Sequence, residues 1–131
     1  MKHISTSVLL SIAMLALTVA EARAADRLQP GQWETTINAG ERERVMQMCV
    51  TAADASAVNG DEKTFEASVL KTAQDAGCTV KDVKVSGNQV TVDATCGGMQ
   101  ATSTTTYHGD RYEQVSSNGS KVSAKRVGPC P

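Results

Sequence analysis

Trp33, Thr35 and Ile37 alternate with Glu34 and Thr36, a period of two that predicts a strand over Gln32–Asn38 with one apolar face. Pro30-Gly31 precedes it, and Asn38-Ala39-Gly40 reads as a turn. Glu41–Val50 alternates again. Met46, Met48 and Val50 share one side, with Val45 and Cys49 on the other. Methionines at strand spacing belong to a core, so Met46 and Met48 are expected to be covered. The alternating charges of Glu41-Arg42-Glu43-Arg44 suit a solvated strand end.

The period then lengthens. Thr51-Ala52-Ala53-Asp54 is a helix start whose threonine hydroxyl can accept an orphan backbone N–H. Asn59-Gly60 breaks the chain, and Asp61–Ala76 predicts a longer helix. Phe65, Val69, Ala73 and Ala76 fall on one of its sides, and Glu62, Lys63, Glu66 and Lys71 elsewhere. The expectation is a helix that packs on the sheet through Phe65, Val69 and Ala73. Gly77 is placed to end it in a left-handed conformation.

The remainder is strand-like and punctuated by glycine: Cys78–Ser86, Gln89–Cys96, Met99–Tyr107, Arg111–Ser117 and Ser120–Val127. Gly87-Asn88 is a two-residue hairpin turn. It sets Ser86 against Gln89, Val85 against Val90 and Val83 against Val92. The apolar phase then slips, because Val80 and Cys78 are even-numbered where Val85 and Val83 are odd. One extra residue near Lys81-Asp82, a β-bulge, restores it. That places Cys78 opposite Cys96, within reach of a disulfide. By elimination, Cys49 pairs with Cys130 and ties the second strand to the C-terminal tail.

These elements predict an α+β fold. Its main part is an antiparallel meander of about six or seven strands, with a helical insert near 52–76 and barrel-like closure as one outcome. No repeat or internal linker divides it.

Composition adds the compartment. Met1-Lys2-His3 followed by the apolar Val8–Ala20 and by Ala22-Arg23-Ala24 reads as a signal peptide over residues 1–24. Residues 25–131 are then a single domain. All four cysteines follow the signal, which reads as a disulfide framework in the periplasm or outside the cell. No cysteine pair has the close spacing of a zinc or redox motif. Setting Lys2, Arg23 and Glu21 apart from 13 basic and 14 acidic residues leaves 11 and 13, a formal charge of −2. That balance gives no reason to expect nucleic acid or an anionic membrane as partner. With one Trp, one Phe and two Tyr, the core must rest largely on aliphatic side chains.

Candidate chemistry is sparse. His108 is the one histidine after the signal, and Asp110 is close by, but His108-Gly109-Asp110 lies on a predicted hairpin tip. No serine occupies a Gly-x-Ser-x-Gly elbow. Asp61, Glu62 and Glu66 complement a helix start. The reading is therefore non-catalytic, with no catalytic, cofactor-binding or metal-ligating residue. The residues singled out are the cysteines Cys49, Cys78, Cys96 and Cys130, and a candidate partner-contact loop of Tyr107, His108, Asp110 and Tyr112.

Several motifs resemble a bacterial secreted family known as domain of unknown function 3617. They are Gly31-Gln32-Trp33-Glu34, Met48-Cys49-Val50-Thr51, Cys78, Gly87-Asn88-Gln89-Val90, Cys96-Gly97-Gly98, Tyr107-His108-Gly109-Asp110-Arg111-Tyr112 and Arg126-Val127-Gly128-Pro129-Cys130-Pro131. The resemblance implies an exported or periplasmic protein and supplies no catalytic residues. Gly31-x-Trp33 with a late Arg126 also looks like the lipocalin pattern. In that pattern an early tryptophan packs against a basic residue of the last strand. Three functions stay open. One is a binding or envelope-associated domain with an unidentified protein or small-molecule partner. The others are a carrier of a small apolar ligand and an inhibitor that inserts the Tyr107–Tyr112 tip into a periplasmic enzyme.

Overall fold

The computed structural model describes residues 26–131. The signal peptide assigned to 1–24, and the start at Ala25, lie outside the described residues. Within them the chain runs β1 (Gly31–Ala39), β2 (Arg42–Val50), α1 (Ala52–Asn59), α2 (Glu62–Asp75), β3 (Cys78–Ser86), β4 (Gln89–Cys96), β5 (Met99–Tyr107), β6 (Arg111–Ser116) and β7 (Lys121–Gly128).

All seven strands form one antiparallel sheet in the order β2-β1-β7-β6-β5-β4-β3. Hairpin chemistry explains most of it, because β3 to β7 simply follow one another through glycine-containing turns. The remaining pairing is β7 with β1, which brings the C-terminal strand into the middle of the sheet. The sheet is open. β2 and β3 are its two edges, and a barrel would have to pair them. They are joined instead through α1 and α2, so barrel-like closure is not found.

The β3–β4 register agrees with the sequence reading residue by residue. Val85 faces Val90, Val83 faces Val92, the register shifts between Val80 and Asp82, and Cys78 faces Cys96. The Cys78–Cys96 disulfide spans a Cα separation of 4.3 Å, and the Cys49–Cys130 disulfide spans 5.4 Å.

Both helices start where the caps dictate. Thr51 accepts from Asp54 N at 3.2 Å, while the Asp54 carboxylate accepts from Thr51 N at 3.0 Å, a reciprocal capping box. Asp61 accepts from Thr64 N at 2.7 Å. Gly77, at φ 78°, turns the chain out of α2 and into β3.

The core is small and lies at one end of the inner face. Leu28, Trp33, Val50, Ala55 and Ala124 form it, with Val58, Tyr107 and Tyr112 packed against it. Trp33 anchors it, buried with its indole N–H donated to Gln29 O at 2.9 Å. Met46 and Met48, expected in the core, are exposed instead. They point to the same side as Trp33, but they sit on the edge strand, beyond the reach of the helices. Gly31 shows how tightly the first strand is held. Its φ of 146° suits glycine, and a Cβ there would fall 2.6 Å from Gly128 O and collide with the Arg126 side chain. Arg126 is opposite Trp33 in the register and donates its Nε to Pro30 O at 2.8 Å. The lipocalin-like residues are therefore neighbours, but on an open sheet capped by helices.

Candidate functional site

Phe65 is the one buried residue of α2, and its ring meets Tyr107 edge-on at 5.8 Å. Beyond that contact α2 runs beside β3 but does not close over β4, β5 and β6. Val69 and Ala73, expected to pack on the sheet, are half-buried and line open space instead. The helix wall is the reason: beyond Phe65 it offers the gap only Ser68, Val69, Thr72, Ala73 and Ala76, none of them large enough to span it.

The result is a cleft of about 700 Å3 between α2 and the inner face of β4, β5 and β6. Strand register orders its floor. Val90 is opposite Thr105, Val92 opposite Ser103, Ala94 opposite Ala101, and Cys96 opposite Met99. Exposure rises along those rows. Val90 and Thr105 are buried, the next two rows are half-buried, and Cys96 and Met99 are exposed. The cleft therefore has a closed end at Phe65 and Tyr107 and a mouth at Met99, beside the Cys78–Cys96 bond.

The closed end is built from aromatics. Trp33 stands 5.7 Å from Tyr112, Tyr112 5.6 Å from Tyr107, and Tyr107 5.8 Å from Phe65. Every aromatic side chain of the sequence is in that file. Arg27 ends it, with its guanidinium 4.8 Å over the Phe65 ring. Arg27 is buried and uses three of its five guanidinium N–H groups on backbone carbonyls: Gly87 O at 2.8 Å, Val58 O at 2.8 Å and Gly60 O at 2.9 Å. One cation thus joins the β3–β4 turn to the end of α1 and the α1–α2 link. Asn59 reinforces the joint by exchanging two 2.8 Å hydrogen bonds with the backbone of Leu28. Burial, and then the neighbouring Tyr112, push the Tyr107 hydroxyl up to about 12, against a smaller opposing pull from Arg27.

A family model described as Protein of unknown function (DUF3617) matches residues 28–130. The chain belongs to that family. No curated protein and no solved structure matches it. The DUF3617 match begins at Leu28 and ends at Cys130, so it takes in the core, the cleft and both bonded cysteine pairs.

Within this DUF3617 domain the candidate contact loop is not a projecting aromatic tip. Tyr107 and Tyr112 are half-buried and turn to the core, while His108 and Asp110 are exposed. The turn is clamped from behind. Gly109 is buried at φ 85°, donates its N–H to Arg27 O at 3.0 Å and accepts from Gln29 N at 2.9 Å. His108 does not line the cleft and meets no carboxylate there. Among the described residues no group of three or more His, Cys, Asp or Glu is placed to hold a metal ion, and no helix is long and apolar enough to cross a membrane. A second hollow, of about 270 Å3 on the outer face, is lined by Glu34, Arg111, Glu113 and Lys125, with Lys125 Nζ 3.7 Å from Glu34 Oε1.

The sequence reading missed Arg27 and the cleft. No local pattern marks Arg27, because its partners lie 31 to 60 residues away. The cleft had one readable sign, the absence of any bulky residue after Phe65 on the apolar side of α2.

Proposed function

We propose that this DUF3617 domain is an exported, non-catalytic binding module that holds a small apolar ligand in the cleft between α2 and the sheet. One observation carries the reading. Protein interiors close to near-crystalline density, with few voids larger than a water molecule. Here α2 and the inner face of the sheet, lined by uncharged and largely apolar side chains, face each other across about 700 Å3 without closing. That volume is in the range of small-molecule sites. The closed end is tied by the hydrogen bonds of Arg27 and Asn59, the mouth is open, and no nucleophile–base pair lies within the cleft. Two disulfides and a signal-like leader support an oxidising compartment. The open sheet makes this a helix-covered cleft rather than a lipocalin barrel. The inhibitor reading loses its motivation, since the tip it needs has its aromatic rings packed inward.

The test is native mass spectrometry of the protein released gently from the periplasm. A retained small-molecule adduct is expected. It should disappear in Ala101→Trp, which fills the middle of the cleft, and persist in Val115→Trp on the outer face. An unliganded wild type that also fails to take up any apolar probe would overturn the proposal.

A further inference from the structure

The chemistry of the cleft walls selects among apolar ligands, and this step rests on the cleft reading above. Charged residues are 21% of the sequence, yet no Asp, Glu, Lys, Arg or His lines the cleft. Arg27 lies behind its closed end, with its guanidinium committed to three carbonyls. On β3, Lys84 is exposed and alternates with Val83 and Val85, so it points to the outer face. Lys71 is exposed on α2 and paired with Asp75 at 2.7 Å. An ionised head entering the cleft would lose its hydration and meet no counter-ion, which is strongly unfavourable.

The walls are nonetheless not uniformly apolar. Val90, Val92 and Ala94 make the β4 part of the floor apolar, and α2 faces it with Val69, Ala73 and Ala76 alongside the hydroxyls of Ser68 and Thr72. Beside β4 on the same floor, β5 and β6 present hydroxyls and an amide. Ser103 and Ser116 share a hydrogen bond of 2.9 Å, and Thr105 donates to Gln114 Oε1 at 3.3 Å. A hydroxyl pair joined by one bond keeps a free donor and lone pairs, and a glutamine amide carries two N–H donors. That strip can satisfy a hydroxyl, ester or amide, but it cannot neutralise an ion.

We infer that the cleft takes an electrically neutral amphiphile, with its hydrocarbon against α2 and β4 and its uncharged polar group on the β5–β6 strip. Long-chain alcohols and glycerol monoesters are the simplest members of the class. Fatty acids, phospholipids and amphiphilic amines fall outside it.

The test compares dodecanol, laurate and dodecylamine, which share one chain length, by calorimetry near neutral pH and below their aggregation limits. Dodecanol is expected to bind at least about tenfold more tightly than either ion, a difference of about 1.4 kcal/mol. Laurate or dodecylamine binding as tightly as dodecanol would overturn the inference while leaving the cleft reading intact. Binding of none of the three would overturn both. Met99→Lys supplies the missing cation at the exposed mouth, where it does not threaten folding, and should narrow the gap between laurate and dodecanol. An unchanged gap there would mean that charge does not set the preference. Ser103→Val with Ser116→Val should erode the preference for dodecanol over dodecane, and an unchanged ratio would show that the polar strip is not read.

Discussion

Among the described residues Arg27 binds three backbone carbonyls and no carboxylate, so its removal leaves part-buried acceptors unpaired as well as emptying space beside Phe65. Arg27→Met should destabilise the fold by about 2–3 kcal/mol in a urea melt, the sum of three part-buried hydrogen bonds at about 0.5–1.5 each. Arg27→Lys should rescue little of that loss, because an ammonium cannot reproduce the planar fork. Tyr107 makes a prediction about pH. Unfolded, its phenol titrates near the ordinary 10.0; folded, near about 12. Between those values the unfolded chain gives up a proton that the folded chain keeps. Stability present below pH 10 is therefore lost as pH rises towards 12, by about 2–3 kcal/mol over the window. Tyr107→Phe should flatten that decline in melts run across alkaline pH. An equally steep decline in the variant would place its cause elsewhere. The roles of Arg27 and Tyr107 were illegible in sequence for the same reason: both depend on partners brought together only by the complete sheet.

At the scale of elements, legibility followed how local the determining interaction is. The β3–β4 register could be derived down to its bulge because a two-residue turn and the valine phase suffice. Helix starts at Thr51 and Asp61 were legible because a cap is a contact across three residues. The methionines of β2 misled because alternation gives a face but not its cover, and β2 proved to be an edge. The tyrosines flanking His108-Gly109-Asp110 misled because a hairpin tip reads as exposed, whereas this one is pinned by Arg27–Gln29. For α2 the expectation divides along its length. Phe65 is only 2% exposed, so Phe65→Ala should cost about 3–5 kcal/mol. Val69 faces the cleft, so Val69→Ala should cost well under half of that. Equal losses in parallel urea melts would mean that the helix packs along its whole length and the cleft is closed in solution.

The whole molecule is a large sheet with a core at one end and a cleft at the other, held by two covalent ties of unequal reach. Cys49–Cys130 closes a separation of 81 residues and Cys78–Cys96 one of 18. On the chain-entropy model these contribute about 4.5 and about 3 kcal/mol, so Cys130→Ser should lower stability more than Cys78→Ser. The reverse order would show that local contacts around β3 and β4 outweigh the long tie. The α+β class and the meander were legible from turns and periodicity. The open edges were not, because pairing β7 with β1 satisfies the same alternation that a closed barrel would. Nor was the cleft, since it arises from side chains too small to span a gap whose width only the assembled fold determines. That cleft is the central claim, and titration of isotope-labelled protein with dodecanol in nuclear magnetic resonance tests it most directly. The account predicts saturable shifts confined to residues such as Val69, Ala73, Val92, Ala94, Ala101 and Ser103, with the outer-face Val45 and Val115 unmoved. Absence of shifts, or shifts spread over the outer face and the β2 edge, would contradict it.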